Sequence, residues 1–193
     1  KTSKFRPGSK YSDPFDLMLS FYLSLKPKQN KQVICPSCGA ATAISDGPVH
    51  KYLESSPGCW AAFGEVLARE YSDYRYARNH QMTVDAYALQ HPGKPSSQTI
   101  QSAAVHLASL CKIIENDYSN NDATEFLQKF ASHKAQFFWL EPPSKPGEIT
   151  VVEVLAGTDA KSHLAMVKRW ALSTWEAWQQ HHDQVKAWLA NCE

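Results

Sequence analysis

Two cysteines separated by two residues open the chemistry of this chain: Cys35-Pro36-Ser37-Cys38, followed by Gly39. Two thiolates at this spacing can grip one tetrahedral Zn2+ from a tight turn. Gly39 supplies the positive φ that such a turn often needs. Half a structural site is then in place, and the remaining ligands must come from elsewhere. The nearest candidates are His50 and Cys59, which complete the pattern C-x2-C-x11-H-x8-C. Cys35, Cys38, His50 and Cys59 are therefore the expected ligands of a structural Zn2+ that folds residues 35–59 around itself. A redox role for the pair is disfavoured, because no strand–helix setting of the βαβ kind surrounds it.

A second group of polar residues follows: His80, Asp85, Tyr87, Gln90 and His91, with His106 further on. Imidazoles and a carboxylate together can act as base and orienter, or hold a second metal. His80, Asp85 and His91 are the catalytic candidates, and hydrolysis by a metal-activated water is the simplest chemistry for them. The bland alternative is that Asp85 and His91 only complement the ends of a helix. Cys111 lies on an apolar helical face and reads as a small buried hydrophobe.

These groups need a scaffold, and the apolar periodicity supplies one. Asp13-Pro14 can start a helix that runs to Lys26-Pro27. Cys59, Phe63, Val66 and Glu70 form a helical stripe. Thr83 to Gln90 is a short helix, and Thr99 to Asn116 a stronger one with Leu107, Leu110 and Ile114 on its face. Asp122 to Ser132 is another helix, with Phe126, Leu127 and Phe130 inward. Residues 149–155 fit a strand or a short helix capped by Thr150. Asp159 to Asn191 reads as one long helix, burying Val167, Ala171, Trp175, Trp178, His182, Val185 and Leu189 and leaving His163 and Trp170 on a flank. The expectation is a mainly α, bundle-like single domain over residues 13–193, with a flexible lead-in at 1–12 and an irregular zinc-clamped segment near the front.

Composition narrows the function. The chain has 193 residues, 43 % hydrophobic and 20 % charged, with a formal net charge of +1. That is a globular composition. The near-zero charge argues against nucleic acid as a partner. No apolar run is long enough to span a bilayer, and the N-terminus lacks the apolar stretch of a signal peptide. Five cysteines, two of them in a C-x2-C pair, favour reduced thiols and metal, hence the cytoplasm. Dinucleotide, phosphate-loop, zincin, kinase and zinc-deaminase signatures are absent.

Several longer motifs add a resemblance. Cys35-Pro36-Ser37-Cys38-Gly39, Gly47-Pro48-Val49-His50, Ser55-Ser56-Pro57-Gly58-Cys59-Trp60, Glu70-Tyr71-Ser72-Asp73 and residues 83–93 (TVDAYALQHPG) resemble an uncharacterised bacterial family of the DUF5946 type. The late Trp175-Glu176-Ala177-Trp178 and His181-His182 resemble it too. The resemblance implies a bacterial protein and attaches no activity. Two functions stay open at this point. One is a zinc-binding protein with a metal-dependent hydrolase-like site, whose second metal is unknown. The other is a non-enzymatic helical interaction module with a purely structural zinc, binding a protein, a small molecule or a second copy of itself.

Overall fold

A computed structural model describes residues 31–116 and 118–192. The expected lead-in at 1–12 and the helix starting at Asp13 lie outside the described residues. From Gln32 onward the chain forms one compact unit.

The unit begins with a short antiparallel hairpin, β1 (Gln32–Ile34) and β2 (Ala41–Ala43), in register Val33 opposite Thr42. The cysteine turn joins the two strands. Cys35 N–H donates to Ala40 O, Gly39 N–H donates to Cys35 O, and Gly39 has φ 77°. The first long helix, α1 (Pro57–Ser72), starts where Ser56 Oγ accepts from Cys59 N–H, with Pro57 in the first turn. Gly58 lets the hairpin sit on this helix end. A Cβ there would stand 2.3 Å from Ala43 O and 2.5 Å from Thr42 Oγ1, so only glycine fits.

After a 3-10 turn at Ala77–Asn79 comes α2 (His80–Gln90), and then α3 (Ser97–Glu115), α4 (Asn120–Ser132), α5 (Val151–Leu155), α6 (Ala160–Ala177) and α7 (His182–Ala190). Starts are well marked. Ser96 and Thr99 cap each other's backbone at α3, Thr150 and Glu153 do so at α5, and Asp159 and Ser162 at α6. The Thr150 cap settles residues 151–155 as a helix rather than a strand. Two apolar cores result. One gathers Leu107, Leu110, Phe130, Trp175, Trp188 and Leu189 from α3, α4, α6 and α7, with Trp178 just after α6. The other gathers Cys35, Cys38, Cys59, Phe63, Val66, Tyr87, Val154 and Trp170. Met82 of α2 packs against both.

The expected long last helix is broken. α6 ends at Ala177, a 3-10 turn spans Gln179–His181, and α7 restarts at His182. The break has visible contacts. Trp178 N–H bonds back to Thr174 O and Trp175 O, and its indole N–H donates to Leu89 O. His182 then stacks on Trp175 with centroids 3.6 Å apart and donates to Trp175 O. His163 and Trp170, expected on a flank, are fully buried. Among the described residues no helix is long and apolar enough to cross a membrane.

Candidate metal centre

Three elements deliver four ligand atoms to one point. The hairpin turn brings Cys35 and Cys38, the first turn of α1 brings Cys59, and the residue just after α2 brings His91. All four donor atoms lie within 4.8 Å of one another. Cys38 Sγ is 3.7 Å from Cys59 Sγ, and His91 Nε2 is 3.5 Å from Cys35 Sγ and 3.4 Å from Cys59 Sγ. A tetrahedral ion with sulfur at about 2.3 Å and nitrogen at about 2.05 Å implies S···S edges of about 3.8 Å and S···N edges of about 3.5 Å. These three separations match those edges, so the residues fit a metal ion. The four side chains are at most 7 % exposed.

The surroundings orient the donors. His91 Nδ1–H donates to Tyr87 O at 2.7 Å, which leaves the Nε2 lone pair for the ion. Ser56 N–H donates to Cys35 Sγ, and Tyr87 O–H donates to Cys59 Sγ. Burial pushes the Tyr87 phenol well above its ordinary range, so it stays a donor. Its ring stacks on Phe63 at 3.8 Å and lies tilted against His91 at 4.1 Å.

The thiols themselves are tightly coupled. Hydrogen bonds from Cys38 and Cys59 hold Cys35 far below the usual thiol range. Cys38 is pushed up to about 12, first by its hydrogen bond to Cys35, and Cys59 is pushed higher for the same reason. The three thiols thus compete for the same protons. A divalent cation bound by the sulfurs would displace the protons they hold.

His50 stands beside this group and not in it. Its ring packs against Tyr52 at 4.4 Å and Trp60 at 5.2 Å, and burial lowers its affinity for a proton. Trp60 follows Cys59 in a helix, so it projects about 100° away from the sulfur. The histidine that completes the group is His91, which the sequence placed among the catalytic candidates.

The other two candidates go to separate partners. His80 Nδ1–H donates to Glu70 Oε2 at 2.7 Å. Asp85 Oδ1 accepts from His106 Nδ1–H at 2.7 Å and from Gln81 at 2.8 Å, while its Oδ2 is buried without a partner. The helix explains the separation. Eleven residues carry His91 about 16 Å along α2 from His80, and Asp85 points about 140° around the axis from it. Glu70 is the residue that sequence reasoning passed over. It lies on the apolar stripe of Cys59, Phe63 and Val66, 1 % exposed, and a carboxylate there must be paired. Thr83 and His163 complete its partners, at 2.6 and 3.0 Å.

A family model matches residues 33–179, described as a family of unknown function (DUF5946). The chain belongs to this family. The stretch matched to DUF5946 contains all four donors of the cluster and both members of the His80–Glu70 pair. No curated protein and no solved structure shows significant similarity to the chain.

Proposed function

We propose that this DUF5946 protein is a structural-zinc protein: Cys35, Cys38, Cys59 and His91 bind one Zn2+, which holds the hairpin, α1 and α2 together and activates no substrate. One observation carries the reading. Four buried protein donors lie within 4.8 Å of one another, three of their separations at tetrahedral edge length, a set that supports a protein filling every coordination position. A catalytic zinc keeps one position for water. Three thiolates and one imidazole are a soft donor set that suits zinc over magnesium, calcium or manganese. They also call for a reducing compartment, which supports placing the protein in the bacterial cytoplasm. On this reading the helical domain is a scaffold that the ion stabilises, and the metal-activated water of a hydrolase has no place at it.

Cobalt substitution tests this. Co2+ in a closed S3N site gives a tetrahedral visible spectrum that added azide leaves unchanged. An azide-dependent shift would reveal an open position and restore the hydrolase reading.

A further inference from the structure

Where α1 ends and α2 begins, three side chains run in line from solvent to core. Tyr71 O–H donates to His80 Nε2 at 3.1 Å, and His80 Nδ1–H donates to Glu70 Oε2 at 2.7 Å. Tyr71 is 73 % exposed, the His80 side chain 31 %, and the Glu70 side chain not at all. The carboxylate is fixed from the other side by Thr83 O–H and by the fully buried His163. This arrangement selects the tautomer of His80. With the proton on Nδ1 committed to Glu70, Nε2 carries the lone pair that faces the phenol. A nucleophile, a base within hydrogen-bond reach and a third group orienting the base are the parts of an activated nucleophile.

We propose that Tyr71 is an acyl-acceptor site for activated carboxylic esters, with His80 as its general base and Glu70 as the positioning residue. In the step, Tyr71 Oη forms a bond to the acyl carbon and the bond from that carbon to the leaving oxygen breaks. The phenolic proton passes to His80 Nε2 and from there to the departing alkoxide. The product is an acylated Tyr71 and a free alcohol, with no other reactant needed. Glu70 stabilises the imidazolium formed between the two transfers. The site owes nothing to the metal, so its test stands apart from that of the zinc reading.

The protein carries its own control. Tyr74 lies three residues on, is 77 % exposed, and among the described residues no imidazole contacts it. The zinc-loaded full chain is treated briefly with p-nitrophenyl acetate at pH 7, and acetylation at Tyr71 and Tyr74 is read by peptide mass spectrometry. General-base assistance is worth roughly a hundredfold or more in favourable cases, so Tyr71 is expected to react at least about tenfold faster than Tyr74. His80→Gln brings the ratio to about one while Tyr74 keeps its rate. Glu70→Gln lowers the ratio at pH 7, and the difference disappears at a pH where the phenol ionises unaided. Buried Tyr87 reports folding, since its labelling rises only if a variant opens. Equal rates at Tyr71 and Tyr74, or a ratio unmoved by His80→Gln in a folded protein, would overturn the proposal.

Discussion

Cys59 Sγ and His91 Nε2 lie 3.4 Å apart across 32 positions of sequence. That contact joins the first turn of α1 to the end of α2, and the two cysteines of the hairpin turn close on the same point. The cluster therefore ties the hairpin turn to α1 and α2, two helices that already meet where Tyr87 stacks on Phe63. The hairpin is mostly exposed, with Val33 at 41 % and Ile34 at 61 %, and buries too little apolar surface to hold itself in place.

Metal removal should thus act locally. Structural zinc contributes about 10–16 kcal/mol in small zinc domains, as much as a whole domain's stability. Chelation is expected to expose the amides of residues 32–43 and the first turn of α1 to hydrogen exchange. Amides of α3 near Leu107 and Leu110, in the other core, should keep their protection longer. Peptide-level exchange with and without chelator checks this, and unchanged protection of the hairpin would contradict it.

The pH response should invert with the metal. In the metal-free protein Cys38 and Cys59 hold protons more tightly than the ordinary thiol value of 9.0. The unfolded chain releases those protons first as pH rises, so stability present below pH 9 is lost above it. The zinc-loaded protein already holds thiolates and lacks this alkaline loss. Instead it loses zinc on acidification, when protons compete for the sulfurs. Denaturant midpoints of both forms at pH 7 and pH 10 measure the difference.

Trp170 is the third probe. It is fully buried, and its indole N–H donates to Gln90 Oε1 at 2.9 Å. Gln90 in turn donates to Pro146 O and Ile149 O, pinning the proline-rich connection before α5. Trp170→Ala removes the ring and leaves a buried acceptor unpaired. A loss of about 3–5 kcal/mol is expected in denaturant unfolding. Trp170→Phe keeps most of the volume and should lose less.

Much of this architecture was legible before the fold, for a physical reason. A period of 3.6 marks the buried stripe of α1, where Cys59, Phe63, Val66 and Glu70 line up, while α2 buries Asp85 to Gln90 all round. Three members of the four-residue cluster were legible as metal-binding candidates too, because Cys35 and Cys38 share one turn and Cys59 lies in the first turn of the next helix. His91 was not, since its approach depends on how α2 packs and not on distance along the chain. His50 is nearer in sequence, and a local pattern selects it. His163 was hidden for a similar reason. It is buried to satisfy Glu70, a partner 93 positions away. The break at Trp178 follows from indole and ring contacts that periodicity does not record.

The choice between His91 and His50 is the most direct test. Zinc per chain is measured by elemental mass spectrometry on the wild type, Cys35→Ser, His91→Ala and His50→Ala. One zinc is expected in the wild type and in His50→Ala, and weakened or lost zinc in the other two. Zinc retained by His91→Ala and lost from His50→Ala, or no zinc in the wild type, would contradict that.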